Sequence, residues 1–144
     1  MWPTPKAWLV TLVLLAPAAW TAAAAGAPDA VGQKTIASYC SSSGDVCYGV
    51  FKRSGKVYLR ITTAARYFRR YTLCVRLLPP AGSGAERYQR CGSFPVFRQG
   101  GGTWGSSVNY LRQYPIRTAG RYRVTWKLGA TPFGPPLHFR LPLI

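Results

Sequence analysis

A period-two alternation of apolar and polar residues runs through most of the chain beyond residue 33, and it is clearest between Gly120 and Leu141. Tyr122, Val124, Trp126 and Leu128 fall on one side of an extended segment, with Arg121, Arg123, Thr125 and Lys127 on the other. A strand with one face in a core and one in water has this pattern. Residues 129–136 interrupt it with turn formers; Leu137, Phe139 and Leu141 then resume the apolar side, and His138 and Arg140 the polar one. The two segments predict a hairpin with one apolar face of seven large side chains. Such a face requires a second sheet to cover it.

The same period recurs upstream. Residues 34–39 predict a short strand, residues 46–53 a second, and Ser54-Gly55 a hairpin turn into residues 56–63, where Val57, Leu59 and Ile61 alternate with Tyr58, Arg60 and Thr62. Residues 64–68 break the alternation and predict a corner or a single helical turn. Tyr71, Leu73, Val75 and Leu77 then alternate with Arg70, Thr72, Cys74 and Arg76, which sets Cys74 on the wetter face. Residues 79–85 read as a loop and 87–97 as a returning strand, whose Pro95 suits an edge position. The run Gly100, Gly101 and Gly102 precedes what reads as another strand, residues 104–111, whereas a phosphate-cradling glycine loop needs a helix there. About seven to eight short strands without a long helix or a repeat predict an all-β fold, an immunoglobulin-like antiparallel β-sandwich.

Composition changes this picture in two ways. Lys6, an apolar stretch over residues 7–20, and the small residues Ala23 and Ala25 have the form of a signal peptide cleaved after Ala25. A retained membrane anchor is the rival reading of the same stretch. The expected division is therefore a signal peptide over 1–25, a flexible lead-in over 26–33 and a β-sandwich domain over 34–144, exported to the envelope or beyond, without a transmembrane span in the mature chain. The second change is charge. The chain carries 19 basic and 3 acidic residues, a formal +16, and loss of the leader removes only Lys6 among them, leaving +15. So basic a domain favours anionic polymers, although arginine-rich composition drift produces the same excess.

In an exported chain Cys40, Cys47, Cys74 and Cys91 imply two disulfides. Of the three connectivities, Cys40–Cys47 and Cys74–Cys91 each straddle a turn, which keeps the partners within bridging distance. A four-cysteine metal site is disfavoured, because neither spacing is the tight C-x2-C of zinc sites. Catalytic groups are scarce: Asp29, Asp45, Glu86 and His138 are the only carboxylate and imidazole side chains, with Asp45 in a turn, Asp29 in the lead-in and Glu86 at the end of a loop. The expectation is no enzyme, no cofactor and no metal.

The motif Gly120-x-Tyr122-x-Val124-x-Trp126, followed by Gly134-Pro-Pro-Leu137-x-Phe139-x-Leu141, resembles the last two strands of exported bacterial immunoglobulin-like sandwiches, the copper-resistance periplasmic family in particular. Tyr39-Cys40 and Gly44-Asp45-Val46-Cys47-Tyr48-Gly49 likewise resemble secreted bacterial proteins. The resemblance implies a fold, not an activity. In that family copper is held by an N-terminal histidine and an Asp-Gly-His segment after the tryptophan strand, but Lys127-Leu128-Gly129 stands here instead, and residues 24–32 contain no histidine. Copper binding does not carry over.

What remains is a monomeric binding module. Arg60, Arg70, Arg76, Arg121, Arg123, Lys127 and Arg140 all fall on polar strand faces, with Tyr58 beside them, and form the candidate polyanion-binding set. The expected partner is an anionic envelope polymer, with no small-molecule substrate. The alternative is a structural or partner-binding envelope protein that uses an edge strand, or the loop bearing Phe133, to hold another protein.

Overall fold

The computed structural model describes residues 32–80 and 88–143. The signal segment 1–25, most of the lead-in, and the carboxylates Asp29 and Glu86 lie outside them. Ten strands, a 3-10 turn and one α-helical turn follow in order: β1 (Gln33–Cys40), β2 (Val46–Arg53), β3 (Lys56–Thr63), β4 (Arg70–Leu77), β5 (Gln89–Pro95), β6 (Phe97–Arg98), the 3-10 turn (Gly100–Gly102), β7 (Trp104–Asn109), α1 (Tyr110–Gln113), β8 (Gly120–Leu128), β9 (Thr131–Pro132) and β10 (Leu137–Leu141). Sheet I has the antiparallel order β1-β2-β3-β7-β6 and sheet II the order β10-β8-β4-β5, with β9 folding back on the end of β8.

The apolar rows predicted from the alternation meet between the sheets. Val50, Leu59 and Ile61 from sheet I and Tyr71, Leu73, Val75, Tyr122, Val124 and Trp126 from sheet II are all buried in one cluster. Tyr48 stacks on Trp126 at 4.5 Å between ring centroids, joining the two sheets at one end. Tyr71 donates a 2.9 Å hydrogen bond to Ser106 Oγ across the interior. Taking β2-β3-β7-β6 as strands A, B, E and D, and β10-β8-β4-β5 as G, F, C and C′, the arrangement is that of an immunoglobulin sandwich with one further strand, β1, added outside β2. A tyrosine corner accompanies it: near the start of β8, the Tyr122 hydroxyl donates to the Thr118 carbonyl at 2.6 Å.

The turns and bridges follow their residue chemistry. Ser54 and Gly55 both have positive φ, 51° and 71°, the geometry of a two-residue hairpin loop whose twist matches the flanking strands. Both disulfides join residues in direct register, Cys40 with Cys47 and Cys74 with Cys91. They place the chain in an oxidising compartment. No helix among the described residues is long and apolar enough to cross a membrane.

Several expectations need correction. The strand expected over 104–111 stops at Asn109 and gives way to α1, because a helical turn sets Tyr110 and Tyr114, four residues apart, side by side in the core with centroids 5.8 Å apart. A continued strand would have kept the two on one face but about 13 Å apart, too far for their rings to stack. Leu128 does not join the buried row; it is 47% exposed at the end of β8, past the cover of sheet I. Cys74 lies on the outer face as its parity requires, but it is buried there on a strand flanked by β5 and β8. Residues 64–68 form the corner that was one of the two expectations there, a bend and not a helical turn, and Phe68 packs against Phe133 at 5.0 Å. Phe133 is therefore a plug on the core edge. Its loop is held close by Gly134, where a Cβ would come within 2.6 Å of the Tyr48 hydroxyl.

Leu73→Ala, at the centre of this core, is expected to lower unfolding free energy by about 2–5 kcal/mol. Tyr122→Phe, which removes only the corner hydrogen bond, is expected to cost about 1 kcal/mol. Denaturant titration checks both, and equal losses would mean that the corner bond carries more than its own hydrogen-bond energy.

Candidate polyanion-binding face

The side chains that β8 turns away from the core are Arg121, Arg123, Thr125 and Lys127. Their neighbours are set by register. On one side Arg140 of β10 stands opposite Arg121, and His138 opposite Arg123. On the other, Arg76 of β4 stands opposite Arg123, Cys74 opposite Thr125 and Thr72 opposite Lys127. One strand further out, β5 sets Gln89 opposite Arg76, Cys91 opposite Cys74, Ser93 opposite Thr72 and Pro95 opposite Arg70.

The outer face of sheet II is thus a grid of rows about 7 Å apart along the strands and columns about 4.8 Å apart across them. Arg140–Arg121 make one row and His138–Arg123–Arg76–Gln89 the next. The neutral Thr125 and the Cys74–Cys91 bridge separate these from Lys127, Thr72 and Ser93, with Arg70 beyond. Directly opposed residues on one face have Cβ atoms about 5 Å apart, and like charges so placed repel. Arg121–Arg140 and Arg123–Arg76 are two such pairs.

Six of the seven candidate arginines and lysines share this face, and Arg60 does not. On the outer face of sheet I its guanidinium donates to Gln33 Oε1 at 2.8 Å and lies 5.1 Å from the centre of the Phe51 ring, which is in register with Tyr58. Arg70 is also engaged, donating to the Ser93 hydroxyl at 2.9 Å and the Ser93 carbonyl at 2.8 Å. Among the described residues no hydrogen bond or ion pair engages the side chains of Arg76, Arg121, Arg123, Lys127 or Arg140. Asp45 is the only carboxylate side chain in the described residues, and it sits in the β1–β2 turn, where its backbone N–H donates to Ser43 Oγ.

His138, which the alternation places on the polar side of its strand, belongs to the densest part of the grid. It is half-buried, and burial followed by the Arg121 and Arg123 charges lowers its pKa from the ordinary 6.5. Its phase with Arg140 was visible in the sequence, but the two arginines beside it come from β8 and depend on register. The remaining perturbed groups are core tyrosines. Burial pushes Tyr71 and Tyr48 up to about 12, and it also raises Tyr110, Tyr114 and Tyr122, so all of them stay neutral donors.

Because folded His138 holds its proton less tightly than the unfolded chain, the unfolded state gains protons first as pH falls through 6.5. Stability is expected to be fullest above about pH 7.5 and to decline from there toward pH 5. His138→Gln should flatten that decline in denaturant midpoints measured from pH 8 to 5; a slope unchanged by the substitution would contradict it.

No family model, no curated protein and no solved structure matches this chain, which leaves the chemistry of its own surface as the ground for a function.

Proposed function

We propose that this protein is an exported, non-enzymatic binding module that holds an anionic envelope polymer against the outer face of sheet II. The observation that carries this reading is the pair of directly opposed arginines, Arg121 with Arg140 and Arg123 with Arg76, without a carboxylate beside them in the described residues. Each opposition works against the sheet, and an anion laid across the strands reverses its sign. Guanidinium groups suit that role, since each offers a planar fork of N–H donors and keeps its charge at every physiological pH.

The position on β8 and its two neighbours also matters. These strands are held by the core beneath them, so the cations stand on a rigid platform, and binding does not have to order a loop. A non-enzymatic role accords with the surroundings of His138, whose charged neighbours are arginines. The protein-partner alternative loses its strongest feature, because Phe133 is packed against Phe68 and the core.

Retention of the oxidised protein on immobilised polyphosphate is expected to fall steeply as salt rises. Arg121→Gln combined with Arg123→Gln should reduce the log–log salt slope by about 2, and Arg60→Gln should leave it unchanged. Retention that ignores salt, or that depends on Arg60 as much as on the β8 pair, would remove the proposal.

A further inference from the structure

We infer that one end of this face is a discrete phosphate subsite, formed by Arg140 and Arg121 in one row and by His138, Arg123 and Arg76 in the next, and that His138 takes up a proton when the phosphate docks. This rests on the reading of sheet II as the binding face and names the group within the polymer that is recognised.

The geometry favours a tetrahedral oxyanion over a carboxylate. A carboxylate presents two oxygens in one plane and is best matched by a single guanidinium fork, so it reaches fewer of these donors at once. A phosphate directs its oxygens to several sides at once, and here donors approach from β4, β8 and β10 and from two successive rows. The block is also bounded. Toward Lys127, Thr125 and the Cys74–Cys91 bridge form a row without charge. In the opposite direction Arg121 and Arg140 border an open groove of about 530 Å³, walled by Leu77, Leu78, Pro79 and Pro80. Cations are therefore concentrated in two rows of the grid.

His138 is the one member of the block that can change its charge near neutral pH. The groups facing it from β8 are Arg121 and Arg123, Arg140 lies two residues along its own strand, and Arg76 is one strand beyond. On the side of sheet I, β1 and β2 approach β10 and bring Lys34 and Lys52 beside Arg140. Arginines and lysines keep their charge between pH 5 and 8, so the imidazole alone titrates there. In the free protein burial and the two arginines of β8 disfavour its protonated form. A phosphate in the block reverses the local potential and favours the imidazolium, which adds a donor to the anion. By linkage, whatever raises proton affinity on binding also raises binding affinity as protons are supplied. Phosphodiesters and the internal phosphates of a long polyphosphate stay ionised throughout, so that with a long chain the pH dependence belongs to the protein.

The chain has a single histidine, so its imidazole resonances need no assignment. Titrating them by NMR in the oxidised full chain, alone and with saturating inorganic polyphosphate, should show the midpoint rising by about one pH unit on binding. Affinity should in turn be up to about tenfold tighter at pH 5 than at pH 8, a gain lost in His138→Gln. Polyglutamate should leave the midpoint close to its free value, and Arg121→Gln with Arg140→Gln should abolish the polyphosphate-induced rise. Polyphosphate that binds without moving the midpoint, or polyglutamate that moves it as far, would overturn the subsite while leaving a general polyanion face standing. Failure of both polymers to bind would overturn the face and the subsite together.

Discussion

The phase of β8 is the constraint on which both the fold and the candidate site depend. Tyr122, Val124 and Trp126 point into the sandwich, and the residues between them have no other direction than outward. A slip of one residue would bury three cations and expose three large side chains, so the cost of burying unpaired charge enforces the register. The Tyr122 hydroxyl bond to Thr118 pins the strand at its entry, and the stack of Trp126 on Tyr48 pins it near its far end. Core and charged face are two sides of one strand.

Five tyrosines stand in the interior of this sandwich. Tyr48, Tyr71, Tyr110, Tyr114 and Tyr122 are buried, and each donates its hydroxyl to an acceptor: carbonyls of Pro135, Ile116, Leu73 and Thr118, and the Ser106 hydroxyl. Most of these acceptors lie in loops or between elements. The rings fill the core while the hydroxyls tie down the backbone that enters and leaves it.

The two outer faces show how similar residues take on different roles. Arg60 is occupied by Gln33 and Phe51 and belongs to the structure of sheet I. Arg121, Arg123, Arg76 and Arg140 have one another as neighbours and no protein acceptor among the described residues. A charge count treats all five alike; only the second group carries electrostatic work that a ligand can relieve.

Much of the sandwich was legible because period-two alternation is a property of the backbone. It assigned a face to Leu59, Leu73 and Val124 before any partner strand was known, and Ser54-Gly55 announced its turn by residue type. The disulfides were legible for the same local reason, since each spans one turn. Tyr110 was misread because its burial comes from a helical turn that only the packing of Tyr114 beside it makes worthwhile. The order of strands was not legible either. That β4 lies on the other side of β8 depends on contacts across some fifty residues of chain, and those contacts separate Arg60 from the rest and set Arg76 beside Arg123, whereas the β8–β10 hairpin itself sets His138 opposite Arg123. Local sequence decides which way a side chain points, while the long-range pairing of strands decides what it points beside.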